Sequence, residues 1–187
     1  MACAPSSARF NFHARIRYAM NDMLEGFMAY LEKNGLVEFD MRNEDDSDFI
    51  NSTNRLQRYV FLAKHFGLDM HYEYDMYLYG PQSRALMGDY IKYAGNHAGS
   101  PDGRMTTAQI VIRLPESFRG EEFLAFVRGR NDEWLYMATT LIKRSKSIPK
   151  RDNLIRNIEW TTHEIPIEYI TGVLGELQAA HMIDLEQ

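Results

Sequence analysis

Apolar positions recur at two different periods along this chain, and the changes of period divide it into elements. From Ile16, the residues Met20, Met23, Leu24, Phe27 and Leu31 fall at helical spacing, with Gly35 as the stop. A second helical stripe, Leu56, Tyr59, Val60 and Ala63, follows the candidate caps Ser52-Thr53-Asn54 and closes at Gly67. Between residues 70 and 79 the period drops to two. Met70, Tyr72, Tyr74, Met76 and Leu78 take one face, and His71, Glu73, Asp75, Tyr77 and Tyr79 take the other. This alternation predicts a strand that is half-buried and polar outside. Helical spacing resumes at Leu86, Tyr90 and Ala94.

A turn-rich tract, "AGNHAGSPDG", separates that helix from "AQIVIRL", a second predicted strand over 108–114. A short helix is expected over Glu121–Arg128, ended by Gly129. Asn131 is placed to cap "DEWLYMATTLIKRS", whose apolar stripe is Trp134, Leu135, Ala138, Leu141 and Ile142. After a basic linker come "RDNLIRNIEW" and "PIEYITGVLGELQAAHMI". Pro166 is near a first-turn position of the last helix, and Ile170, Val173, Leu174 and Leu177 share its inner face. The expected architecture is α+β and mainly α-helical. It has a small antiparallel β element in the N-terminal half and a helix-turn-helix-like three-helix module at the C-terminal end. Residues 1–12 read as a poorly ordered tail, 13–129 as the first half and 130–187 as the helical module, packed into one unit.

Composition narrows the classes. An apolar fraction of 45% over 187 residues is ample for a packed core, and the net charge of −5 does not attract phosphate backbones or anionic membranes. The single cysteine, Cys3, rules out a disulfide within the chain and fits a reducing, cytoplasmic setting. No leader-like or membrane-spanning stretch is evident, so no membrane partner is expected.

The stretch "YLYGPQSRAL" is the most pointed feature. Pro81 has no backbone donor and a fixed φ, so it cannot continue a central strand but can open a helix. Gly80 permits the sharp turn and serves as an N-cap, with Ser83 as an alternative cap further on. A structural corner accounts for these residues. The functional reading is that amides at the helix start meet a partner carboxylate or another anion.

At this point "RLQRYVFLAKHFG", "YDMYLYGPQSRAL", "EWLYMATTLIKR" and the ending "LGELQAAHMI" resemble the YwgA-like family of bacterial and archaeal proteins. The first two segments are also similar to the Panacea domain, which has a Leu-Gln helix followed by a Tyr-Gly-Pro corner. The Panacea resemblance implies a non-enzymatic antitoxin or adaptor that binds a partner protein, such as a toxin. Neither family supplies a catalytic residue, and residues 13–53 lie outside the match.

His65, Asp69, His71, Glu73 and Asp75 form the densest set of metal-ligand types, and alternate strand residues lie about 6 to 7 Å apart on one face. The polar outer face of a surface strand explains the same alternation. No nucleophile elbow, phosphate loop or dinucleotide fingerprint occurs. No cofactor, metal or catalytic residue is therefore expected, and a metal-dependent enzyme ranks third.

Tyr77 and Tyr79, exposed on the outer face, suit a protein interface. With Gly80, Pro81, Ser83 and Arg84 they form the expected partner-binding set. Self-association is left open. The alternative is a DNA-binding regulator. Lys143, Arg144, Lys146, Lys150, Arg151 and Arg156 make a basic stretch, but residues 166–183, where a reading helix would lie, hold two glutamates and no lysine or arginine.

Overall fold

The helical stripes converge on an aromatic centre. In the computed structural model, which describes residues 22–39, 47–97, 114–162 and 165–186, Phe123 is fully buried. Its ring meets those of Phe27, Tyr59, Phe66 and Phe118 at 5.6, 6.1, 5.7 and 5.7 Å. Most of these pairs are edge-on, the arrangement that ring quadrupoles favour.

Helix α1 covers residues 22–33 and buries Leu24, Phe27, Met28 and Leu31. It ends as expected. Gly35 takes φ 66°, and the Leu36 N–H donates back to the Leu31 carbonyl at 3.0 Å. Helix α2, Ser47–Ala63, begins earlier than the cap cluster predicts. Ser52 and Thr53 are buried inside it, their hydroxyls donating to the Phe49 carbonyl at 2.9 and 2.7 Å. Both residue types satisfy themselves within a helix in this way. The earlier start is anchored by Phe49, which is buried and stacked on Tyr90. A 3-10 turn, Lys64–Phe66, and Gly67 at φ 88° close the segment.

The predicted strand over 70–79 is much shorter in the structure. Only Asp75–Tyr77 (β1) pairs, and its partner is Gly80–Gln82 (β2). The ladder is antiparallel, with Asp75, Met76 and Tyr77 opposite Gln82, Pro81 and Gly80. His71, at φ 57° with its N–H on Asp69 Oδ1, bends the chain and keeps the preceding residues out of any ladder. The alternation arises because Tyr72 and Tyr74 lean inward from extended backbone. Leu78, expected on the inner face, is in the turn and exposed.

Gly80 and Pro81 also correct the expected corner, because they form a strand and not a helix start. Ser83 takes the capping role: its Oγ accepts from the Leu86 N–H as helix α3, Arg84–His97, begins. Most of the predicted strand 108–114 lies outside the described residues, and Leu114 is not in a strand. Ile16, Met20 and the 1–12 tail also lie outside.

Helix α4 is Gly120–Val127, and Gly129 follows at φ 76°. Helix α5, Asp132–Ser145, is capped by Asn131, whose side chain accepts from the Trp134 N–H at 2.8 Å. Helix α6, Arg151–Thr161, and helix α7, Ile167–Ala179, follow as the period indicates, with Pro166 at the α7 N-cap. Helices α5, α6 and α7 pack on one another, and α5 also packs on α2 and β2, so the two expected halves share one core. Arg130 joins α5 to α7 by lying 4.3 Å over the Trp134 ring and pairing with Glu176 at 2.5 Å. The protein is thus mostly helical α+β with one small antiparallel sheet among the described residues. No helix among those residues is long and apolar enough to cross a membrane.

Candidate interaction site: the hairpin and its base

Helix α2 presents an amide at a position where its apolar stripe meets the corner. Gln57 is only 3% exposed. Its Nε2 donates to the Ser83 carbonyl at 3.0 Å, and its Oε1 accepts from the Ser83 N–H at 2.9 Å. One side chain thereby satisfies the buried Ser83 N–H and adds a second donor to the Ser83 carbonyl, which also accepts the Met87 N–H at 3.1 Å as α3 begins. Two further bonds join the same elements: Tyr74 Oη donates to the Gln57 carbonyl, and Gln82 Nε2 to Asn54 Oδ1. Burial pushes the Tyr74 phenol well above its ordinary pKa, so it remains a neutral donor.

The other side of the base rests on α5. A Cβ at Gly80 would lie 3.1 Å from Tyr136 Cδ2 and 3.4 Å from Thr140 Oγ1, and the glycine has φ 95°. Close approach and left-handed backbone both require glycine here. Leu78 and Tyr79 have no positive φ, so the turn is not one of the mirror-image hairpin types; its left-handed residue is Gly80. Beneath lies a charged anchor. Arg55 Nε and Arg58 Nη1 reach Asp132 Oδ1 at 2.8 and 3.4 Å, joining α2 to the first turn of α5. Burial lowers the Arg58 pKa, while Asp132 opposes that shift.

The six expected partner-binding residues separate into two groups. Gly80, Pro81 and Ser83 are buried and shape the hairpin from within. Tyr79 is 63% exposed at the tip, Tyr77 is half-buried, and Arg84 is exposed. Arg84 Nε donates to Tyr77 Oη at 2.8 Å, with its guanidinium 5.8 Å from the ring centre. Tyr77, Arg84 and Met87 edge a pocket of about 270 Å³ beside the hairpin. Sequence reasoning missed two residues. Leu78, 82% exposed, forms the tip with Tyr79, and only the two-residue spacing between strands could have placed it there. Gln57 was discoverable as an amide beside Leu56 in a helix whose other stripe positions are apolar.

The metal-ligand types do not gather at this site. Asp69 is held below the usual carboxylate range; burial opposes the shift, and the hydrogen bonds from Lys64 and the His71 N–H outweigh it. Lys64 pairs with Asp69 at 2.8 Å, and His71, Glu73 and Asp75 point to solvent. Among the described residues no three His, Cys, Asp or Glu side chains form a metal-holding group. No family model, curated protein or solved structure matches the chain.

Proposed function

We propose that this protein is a non-enzymatic interaction module that grips a protein partner with the hairpin tip. The observation that supports this reading is the pairing of two large exposed side chains, Leu78 and Tyr79, with a base fastened by Gln57 and seated on α5. Leucine and tyrosine held on a stiff support lose little freedom when they dock, and aromatic anchors dominate binding energy at protein interfaces. Glu73 and Asp75 lie exposed on the approach to the tip and would repel phosphates, which favours a protein over nucleic acid. The resemblance to Panacea-type antitoxins supports the same class and makes a toxin the first partner to try, in the cytoplasm.

The DNA-binding alternative draws on the cations at 143–156. Arg144 is occupied by Asn157, and α7 presents Glu168 and Glu176 with no cation. Affinity capture with and without nuclease separates the classes. Under the proposal, capture survives nuclease and survives Lys143→Glu/Arg144→Glu/Lys146→Glu. Loss of capture under both treatments would transfer the reading to nucleic acid.

A further inference from the structure

The C-terminal end of α5 faces the Lys64 turn and the bent segment before β1, and a partly enclosed cavity of about 150 Å³ opens between them. Its floor is apolar, made by the buried Val60, Phe61 and Met70, and Tyr72 and Tyr74 add aromatic wall. Both tyrosine hydroxyls are already engaged, on Asp89 and on the Gln57 carbonyl, so the rings and not the hydroxyls are offered to the cavity. The rim is cationic, with Lys64, Lys143 and Lys146 against Asp69 alone. Lys64 neutralises Asp69 at 2.8 Å, whereas neither Lys143 nor Lys146 makes an ion pair among the described residues. Two ammonium groups without an ion partner among the described residues thus border an aromatic recess.

We infer that this cavity binds a small phosphomonoester with a flat apolar body. The ring lies on Phe61 and Tyr72, and the phosphate lies between Lys143 and Lys146. A cavity of about 150 Å³ admits one benzene-sized ring, which leaves the phosphate at the rim where the lysines are. Lysines at a helix C-terminus also complement its dipole, but that role requires neither an aromatic floor nor Lys64 from a second element. The neighbouring His65 reports the same positive field: burial lowers its pKa first, and Lys146 and Lys64 lower it further.

The site is tested on the full chain by calorimetric titration with inorganic phosphate, phenyl phosphate and phenol, at constant ionic strength set with chloride. Saturable binding of phenyl phosphate is expected, about tenfold tighter than inorganic phosphate because the ring is buried as well. Lys143→Ala/Lys146→Ala, with an unchanged circular dichroism spectrum, should weaken phenyl phosphate at least about tenfold, the scale of losing two charge-assisted contacts. Lys150→Ala/Arg151→Ala removes the same charge outside the cavity lining and should change the affinity less than about twofold at physiological salt. Equal weakening by the two double variants would overturn the site, because binding would then follow net charge. Phenyl phosphate no tighter than phosphate, or no saturable binding of either, would overturn it as well.

Discussion

The base and the tip of the hairpin are adjacent in sequence and opposite in physics. At the base, Gly80, Pro81 and Ser83 are buried, and each polar group of Ser83 named above has a partner. At the tip, Leu78 and Tyr79 put two large side chains into solvent where burial would stabilise them. A lone two-stranded hairpin has little stability of its own. This one is fixed because α2 and α5 grip its base. The comparison teaches that rigidity is supplied from outside the β element, so the tip side chains can stay exposed without loss of order.

The base should therefore break the protein and the tip should not. Gln57→Leu keeps the volume but strands the buried Ser83 N–H, which costs about 1 to 3 kcal/mol when unpaired, and removes one of the two bonds on the Ser83 carbonyl, worth about 1 kcal/mol more. The expected loss is about 3 kcal/mol in urea unfolding, and a loss below about 1 kcal/mol would mean that another group holds the corner. Gly80→Val comes next, at about 1 to 3 kcal/mol, since a β-branched residue must take φ 95° against Tyr136. An unchanged denaturant midpoint in that variant would remove the account of the turn.

These two residues also mark what the sequence could convey. The span from Asn131 to Leu177 was legible because cap and stripe agree: Asn131, the buried Trp134 and Leu135, and Pro166 all point to the same boundaries. Near the hairpin the local signals conflict. Gly80-Pro81 suits a helix start as well as the strand that follows a turn, and the choice is made by Gln57, 26 residues away. Ser52 and Thr53 look like caps, yet the buried Phe49 carries the helix past them. The period of two over 70–79 is real, but His71 turns the backbone, and Leu78 occupies the turn that the alternation could not foresee. Of the candidate site, Tyr79 and Arg84 were legible as surface, whereas Tyr77, expected exposed, is half-buried. Their support was not, because it comes from other helices.

The smallest expected effect is a pH dependence at the Lys64–Phe66 turn. Burial and the charges of Lys146 and Lys64 hold His65 below its ordinary value of 6.5, so the unfolded chain binds that proton more readily. Stability should be level above the ordinary value and decline as pH falls through it toward the lower folded-state value. His65→Gln should flatten that part of the curve in thermal melts recorded between pH 7 and pH 5. A decline that persists unchanged in the variant would assign it to the carboxylates instead.

The central claim is that a braced hairpin offers Leu78 and Tyr79 to a protein partner, and the most direct measurement replaces both with alanine. Because the two side chains are 82% and 63% exposed, Leu78→Ala/Tyr79→Ala should shift unfolding free energy by less than about 0.5 kcal/mol. The same variant should lose partner capture, as truncating an aromatic interface anchor such as Tyr79 costs about 2 kcal/mol or more. A stable, folded double variant that captures the partner as well as the parent protein would contradict the account.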